Sequence, residues 1–435
     1  MRVDGGALEG EQIVTIAPGE LERLLLPWVD PLAQRLRPDE RLRPPVSAYV
    51  PGGAYRIRSD VPIKVVQANP AQWPLVSESE AAAGSATMDW SPLLAVRAIG
   101  RHYVVATRPS EATVTRATGE LRRREGGFLA IVGVAPRTRV EVRLPTRTAP
   151  GPTEEAHEAG DTVTRELASG DVWLLVSGHA DGPADCPPVE SAPIPGQLLC
   201  DLGDLDLTGT EVIASEPVAA FAGHACANVP FQHATCDHLE QQLLPVEQLG
   251  TSYALVAHGP PGSRNLGLVR VVSPMDGNEI TVGDERILLG RGEWIERRWS
   301  GVLEIRSEHP SLVMQFAPSA NFHGAPVGDP SMFQPIPRDR WQTRYDLVVP
   351  HIVVEWAGAS PGWGAIHTVT ATGSTPIVIG GRPREATRLA GGGLDVHEVE
   401  LREPGLVTVT SADGAPFGLT FTSASHAVSI AYGPL

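Results

Sequence analysis

The chain has 435 residues, of which 51 are acidic and 35 are basic, so its formal net charge at pH 7 is −16. This negative charge argues against nucleic acid or an anionic membrane surface as the partner, because both attract cationic faces. Hydrophobic residues make up 42% of the chain, which excludes disorder over most of its length. No apolar run reaches the roughly 18 residues of a transmembrane helix.

Short segments rich in β-branched residues and bounded by Gly, Pro, Asp or Ser follow one another along the chain. They predict strands at 55–58, 63–67, 103–107, 128–132, 139–144, 171–176, 253–256, 267–272, 279–282, 287–289, 312–316 and 345–349. Asp276 and Gly277 lie between two of them and have the composition of a tight hairpin turn. Helical signals are weak, and we expect at most one or two helical turns at 237–242. The sequence therefore predicts an all-β fold.

An internal repeat gives the most useful prediction. A strand followed by Ser, an acidic residue, Pro and a second apolar strand occurs at 57–67, 213–221 and 305–315, with a degraded copy at 409–419. We interpret the Ser–acid–Pro step as a turn, because Ser and the acidic residue favour turns and Pro fixes φ where the next strand begins. The spacing from Gly100 to Tyr103 recurs from Gly250 to Tyr253.

The serines of this motif are 156, 92 and 104 residues apart. About seven strands per roughly 100 residues predict repeated β-sandwich-like units, and a propeller-like closed β array is the alternative. We predict three units: 1–205 with two long loops, 206–298 with the Cys226/Cys236 loop, and 299–435 with the closing strands. Segments 13–16 and 19–27 resemble the tail of a preceding cycle, which suggests that Met1 is not the native start.

The four cysteines predict an oxidising compartment, whereas residues 1–10 lack the features of a secretory signal and by themselves suggest the cytosol. Cys186 and Cys200 bracket one loop, and Cys226 and Cys236 bracket another. Three connectivities are possible, and we favour the sequential one because it closes the shortest loops. Reduced cysteines remain the alternative, since two pairs are a weak signal in a long chain.

The densest polar cluster of the sequence lies at 224–238. It contains His224, Cys226, His233, Cys236, Asp237 and His238. Imidazoles and thiolates are the ligands that zinc prefers, but the paired spacing of known zinc sites is missing here. We therefore prefer a loop closed by a disulfide over a zinc site at His224, Cys226, His233, Cys236 and His238. A cysteine nucleophile with a histidine base is a further alternative.

Other enzymatic signatures are missing from the sequence. It has no Gly-x-Ser-x-Gly elbow, no phosphate-binding glycine loop and no His-Glu-x-x-His motif. An Asp-rich calcium loop is also missing. We therefore predict no catalytic residues, no cofactor and no metal ion.

The order of residues from Glu216 to Tyr253 resembles the N-terminal domain family of the IgG Fc-binding protein of mucus, which has many bacterial members. Cys226 and Cys236, the run Asp237-His238-Leu239, a Leu-Pro step, and Gly250 with Tyr253 all occur in the family's order. A weaker resemblance extends from about residue 55 to 333 and more loosely to the C-terminus. It implies a β-rich, non-catalytic module, secreted or on the cell surface, with Cys226 and Cys236 as the family's cysteine pair and a bacterial source.

Three functions follow as expectations. The preferred one is an extracellular binding, adhesion or structural module whose partner is a protein or a glycan. The second is a zinc-dependent or cysteine-based hydrolase centred on 224–238. The third is a subunit of a larger surface assembly whose exposed strand edges pair between chains.

Overall fold

A computed structural model describes residues 1–33, 45–69, 89–180, 188–189, 196–233, 236–258, 265–323, 328–349, 366–373, 376–385, 394–401, 403, 405–424 and 429–432. Within this part the fold is all-β, as the sequence predicts, and a single turn of α-helix, α1 (Ala320–His323), interrupts it. None of the described helices is long and apolar enough to cross a membrane.

The strands are numbered in chain order. The first half of the chain contains β1 (Arg2–Gly5), β2 (Gln12–Ile13), β3 (Ala48–Val50), β4 (Tyr55–Arg58), β5 (Val66–Asn69), β6 (Asp89–Pro92), β7 (Gly100–Val104), β8 (Glu111–Thr115), β9 (Leu121–Glu125), β10 (Gly127–Gly133), β11 (Thr138–Arg143), β12 (Thr162–Leu167), β13 (Val172–Val176), β14 (Pro188–Val189), β15 (Gln197–Asp201), β16 (Glu211–Asn228) and β17 (Cys236–Gln242).

The second half continues the same pattern. It contains β18 (Gly250–Val256), β19 (Leu266–Val272), β20 (Asn278–Val282), β21 (Glu285–Leu289), β22 (Trp294–Ser300), β23 (Val302–Ala317), β24 (Ser331–Phe333), β25 (Arg344–Val349), β26 (Ile366–Gly373), β27 (Ile377–Ile379), β28 (Arg382–Arg384), β29 (Asp395–Leu401), β30 (Gly405–Ser411), β31 (Gly418–Ala424) and β32 (Ser429–Tyr432).

Three repeated units share one pairing pattern, built on a long last strand. In unit 1 the first half of β16 pairs with the β11–β12 hairpin, and its second half pairs with β10, which also pairs with β13. In unit 2, β23 pairs with the β20–β21 hairpin and with β19, whose other neighbour is β22. In unit 3, two strands replace the single long strand. Strand β30 pairs with the β27–β28 hairpin, and β31 pairs with β26, whose other neighbour is β29. The sheets of the described residues close neither a barrel nor a propeller.

A buried tyrosine fixes the corner of each unit. The backbone N–H of Gly100 donates to the Tyr103 hydroxyl (2.8 Å), which donates to the Val218 carbonyl (2.7 Å). Unit 2 repeats this with Gly250, Tyr253 and Ser311, and unit 3 repeats it with Gln342, Tyr345 and Phe417. Burial raises the pKa of Tyr103 and of Tyr345 to about 12, so the hydroxyls remain donors.

The predicted turn at the Ser–acid–Pro motif is wrong for its second and third copies. Ser215 and Ser307 lie inside the continuous strands β16 and β23. In the pairing of β7 with β16, Tyr103 is opposite Val212 and Gly100 is opposite Val218. Three residue positions along β7 therefore correspond to six along β16, and the additional residues of β16 bulge out of the ladder. The motif is therefore a bulge opposite the tyrosine corner.

Two local predictions are also wrong. Residues 237–242 form strand β17 rather than helical turns, because they pair with β16. Gly277 takes a turn conformation with φ +70°, but its flanking strands β19 and β20 do not pair with each other. They pair instead with opposite halves of β23, so this turn joins two sheets.

Glutamine side chains join successive units. Gln242 Oε1 accepts the N–H of Leu94 (2.7 Å), and Gln334 Oε1 accepts the N–H of Leu244 at the matching position (3.1 Å). Gln334 Nε2 also donates to the Gln242 carbonyl (2.9 Å). The largest buried core likewise spans two units, because Leu268 and Phe316 of unit 2 pack with the core of unit 1. Units 1 and 2 of this pairing pattern include the long strands β16 and β23, respectively. The predicted division into domains at 205/206 and 298/299 is a separate proposal.

A buried ion network lies between units 1 and 2. Arg270 donates to Asp206 Oδ2 (2.6 Å) and to Glu296 Oε2 (2.9 Å), and its guanidinium lies over the ring of Trp294 (4.3 Å). Arg108 also pairs with Glu296. Although burial opposes ionisation of Asp206, the charge of Arg270 and the hydrogen bonds from Thr208 and Arg270 together outweigh it, and the pKa of Asp206 is lowered.

Candidate functional site

The polar cluster predicted at 224–238 is the end of the β16–β17 hairpin. Cys226 and Cys236 form a disulfide (S–S 2.03 Å), and both residues are buried. The β16–β17 ladder shifts register between His224 and Ala227, immediately beside this disulfide. The bridge therefore ties the hairpin together where its backbone pairing is irregular.

His224 is a buried structural histidine. Its Nδ1 accepts the N–H of Cys226 (3.1 Å), and its Nε2 lies 2.9 Å from the carbonyl oxygen of Pro109 and donates to it. Burial lowers the pKa of His224 to about 3, so the ring is neutral at physiological pH. Because both nitrogens are used within the protein, neither is directed at a ligand.

The buried side chain of Glu111 contacts the end of β16 in the hairpin. Glu111 Oε1 accepts the backbone N–H of Asn228 (2.8 Å), and its Oε2 accepts from the side chain of Asn228. Arg123 lies 3.4 Å from the same carboxylate and donates to Cys236 Sγ (2.6 Å). Burial raises the pKa of Glu111 to about 7, although Arg123 and Asn228 oppose the shift. These contacts fix the loop that leaves β16.

The tip of the hairpin carries an aromatic and basic surface. His233 packs edge-on against Phe322, with 4.9 Å between the ring centroids. The guanidinium carbon of Arg298 lies over the same Phe322 ring, 5.6 Å from its centroid. Phe231 is half-buried and Gln232 is exposed in the same loop. Phe231, Gln232, His233, Arg298 and Phe322 are called the hairpin patch below.

The hairpin patch joins two units. The backbone N–H of Ser319, which follows β23, donates to the carbonyl of Val229 (2.7 Å). Burial lowers the pKa of His233, and Arg298 lowers it further. Aromatic residues and arginine on a rigid support are the side chains that dominate protein–protein interfaces. The patch therefore has the side-chain composition of a protein-binding surface.

The remaining predicted motif residues have structural surroundings. His238 stacks on Phe128 (5.9 Å) and lies 3.2 Å from Glu240. Asp237 is fully buried, and its Oδ1 accepts the N–H of His238 (2.8 Å). A Cβ on Gly250 would lie 2.2 Å from Cβ of Pro337, so only glycine fits at this approach between units.

The three histidines of the proposed zinc site each contact a different part of the chain, and its two cysteines are joined in the disulfide. His224 points to Pro109, His233 to Phe322, and His238 to Phe128. In the described part of the chain, no group of three or more His, Cys, Asp and Glu side chains is placed to hold a metal ion. Cys200 is disulfide-bonded, while Cys186 lies outside the described residues.

Sequence reasoning missed Glu111, Arg123, Arg298 and Phe322. Glu111 lies 117 positions from Asn228, and Arg123 lies 113 positions from Cys236. Arg298 and Phe322 belong to unit 2. A local motif cannot show such contacts. The only sequence signal is the acidic residue that opens the β-rich segment 111–115.

Comparisons with known proteins identify relatives of the chain. The family profile described as IgGFc binding protein matches residues 89–423. The human IgGFc-binding protein is 47% identical over 51 residues, which are 12% of this chain and 1% of the human protein. This chain therefore covers a very small share of that curated relative.

Proposed function

The chain belongs to the IgGFc-binding protein family, and from this membership we propose that it is a non-catalytic module that binds an extracellular protein. The observation that carries the proposal is the match over residues 89–423, which includes β16, β23 and β30, one long strand from each repeated unit. The geometry supports it, because both ring nitrogens of His224 are hydrogen-bonded within the protein and Cys226 and Cys236 are joined in a disulfide.

We place the binding surface at the hairpin patch. Rigid support reduces the entropy that a loop loses on binding, and therefore favours affinity. Here the support is the Cys226–Cys236 disulfide together with the Glu111–Asn228 contact. Phe231, Phe322 and Arg298 supply the aromatic and guanidinium groups that serve as anchors at interfaces.

Secretion or surface display is part of this proposal. Disulfides persist in oxidising compartments, and both the hairpin pair and Cys200 are oxidised. The family resemblance adds adhesion and a bacterial source as finer proposals. A place in a larger surface assembly is a further proposal, because exposed strand edges can pair between chains. Because the described family is named for the Fc region of IgG, we propose Fc as the protein ligand.

The test is a titration of immobilised human IgG Fc fragment by surface plasmon resonance. We expect saturable binding that Phe231→Ala and Arg298→Ala each weaken by about tenfold or more. The matched control is Arg297→Ala. Arg297 is next to Arg298 in the sequence, but its guanidinium pairs with Glu285 (2.7 Å) and does not lie over Phe322. The absence of saturable binding, or equal binding by the patch and control variants, would overturn the proposal.

A further inference from the structure

The guanidinium of Arg123 lies against the hairpin disulfide. Its Nη1 donates to Cys236 Sγ (2.6 Å), and its Nη2 donates to Glu111 Oε2 (3.4 Å). Within the described residues, the buried Nε–H of Arg123 has no hydrogen-bond partner, and Glu125 Oε1 is 3.9 Å away from it. The cation is therefore only partly satisfied in the oxidised chain.

Reduction of the disulfide would give this cation a better partner. A disulfide sulfur carries no charge and, like other neutral sulfur atoms, accepts hydrogen bonds weakly. A thiolate at Cys236 would carry a full negative charge, which a neighbouring arginine stabilises. Burial raises the pKa of Glu111 to about 7, so this carboxyl offsets the charge of Arg123 only in part near neutral pH. The surroundings of Cys236 therefore favour the reduced state.

The two cysteines differ in access to solvent. Cys236 is 9% exposed, whereas Cys226 is fully buried. An external thiolate therefore reaches Cys236 first. Because Arg123 lies on this side of the disulfide, its positive charge also attracts the incoming thiolate.

The disulfide closes the loop that carries part of the hairpin patch. Residues 231–233 of the patch lie between the two cysteines in the sequence. Beyond the register shift, the β16–β17 ladder has two residue pairs in the described chain, Ala227 with Asp237 and Asn228 with Cys236. The disulfide is therefore a major link across this end of the hairpin, and its loss should let the loop move.

We propose that the Cys226–Cys236 disulfide is a thiol–disulfide exchange site for a dithiol reductant, and that its reduction loosens the hairpin patch. One thiolate of the reductant attacks Cys236 Sγ, the S–S bond breaks, and the sulfur of Cys226 leaves and takes up a proton. The second thiolate of the reductant attacks its own sulfur in the mixed disulfide and releases Cys236 as a thiolate, which pairs with Arg123.

This exchange balances in electrons and protons. Two electrons pass from the dithiol, which becomes a disulfide, to the two cysteines. Of the two thiol protons, one ends on Cys226 and the other passes to solvent. The exchange itself is independent of any ligand, whereas its regulatory consequence rests on the proposed function of the hairpin patch.

The test measures the redox equilibrium of the full chain in mixtures of reduced and oxidised dithiothreitol. Acid quenching, alkylation and peptide mass spectrometry give the reduced fraction of Cys226 and Cys236 at each ratio. Arg123→Gln removes the charge and should raise the ratio of reduced to oxidised dithiothreitol at half reduction by about tenfold. Arg123→Lys keeps a positive charge and should restore most of the wild-type midpoint.

The matched control is Arg124→Gln. Arg124 is the next residue of β9, and its side chain projects to the opposite face of the strand. This variant should have the midpoint of the wild type. Equal midpoints for the Arg123→Gln, Arg124→Gln and wild-type chains would overturn the exchange site.

Hydrogen exchange tests the loosening, on the chain reduced under conditions in which β10 stays protected. Residues 227–233 should exchange faster than in the oxidised chain, and unchanged exchange there would overturn this part of the proposal. Binding of Fc by the reduced chain should be about tenfold weaker. If neither form binds Fc, the proposed function fails, while the midpoints and the exchange rates still decide this inference.

Discussion

The hydroxyl of Tyr253 donates a hydrogen bond to the carbonyl oxygen of Ser311, at 2.9 Å, across the bulge in β23. The same hydroxyl accepts the backbone N–H of Gly250 (2.9 Å). One side chain therefore binds backbone groups of two residues that face each other in the ladder, immediately beside its register shift. Because equivalent tyrosines occupy units 1 and 3, this contact defines the repeat better than the Ser–acid–Pro motif does.

Replacing Tyr253 by Phe should destabilise the chain by about 1–3 kcal/mol, because two buried backbone groups lose their partner. Urea unfolding followed by tryptophan fluorescence measures the change. Tyr55→Phe is the control, since its hydroxyl binds Pro27 at an exposed position. If both variants lose the same stability, the corner does not have the role assigned to it.

Replacing Arg270 by Ala should cost about 3–5 kcal/mol, because it leaves the buried charge of Asp206 without its cation. The exposed pair between Arg297 and Glu285 provides the comparison, and Arg297→Ala should cost less than about 1 kcal/mol. Thermal unfolding of both variants gives the measurement. Similar losses would show that the network between units 1 and 2 is not a major contributor.

Removal of the hairpin disulfide by Cys226→Ser/Cys236→Ser should destabilise the chain by about 3 kcal/mol, as expected for a closed loop of this size. The separation of the two cysteines is 10 residues. Hydrogen exchange should also show faster exchange at the N–H of Asn228. Unchanged exchange there would contradict the assignment of the disulfide as the support of the hairpin patch.

Glu111 should make the stability fall as the pH rises. Its pKa is about 7 in the folded chain against an ordinary 4.5, so between these values the folded state holds a proton that the unfolded state has lost. Its contribution is therefore most favourable below about pH 4.5 and is lost as the pH rises through 7. The difference in unfolding free energy between wild type and Glu111→Gln should shift steadily against wild type over this range. A difference that is constant with pH would contradict the shift.

The sequence is sufficient to predict the all-β class and the repeat, because strand composition and the spacing from Gly250 to Tyr253 are local signals. The Ser–acid–Pro motif is ambiguous for a physical reason. Its residues suit both a turn and a bulge, and the choice depends on Tyr103 and Tyr253 on the partner strands.

The surroundings of the site could be predicted less well. The sequence places His224, Cys226 and Cys236 in one loop. It does not show that the carbonyl oxygen of Pro109 accepts a hydrogen bond from the His224 imidazole. It also does not show that Phe322 of unit 2 packs on His233. These contacts depend on how units 1 and 2 pack, and no periodicity within one unit contains that information.

We assign the cysteines and histidines of the hairpin to the stability of a binding module rather than to a reactive centre. Non-reducing mass spectrometry after alkylation in denaturant, with zinc quantified in the same sample, distinguishes the two. We expect Cys226 and Cys236 to remain unalkylated in one disulfide-linked peptide and zinc to be far below one ion per chain. Two alkylated thiols together with one zinc ion per chain would show that the hairpin is a metal centre instead.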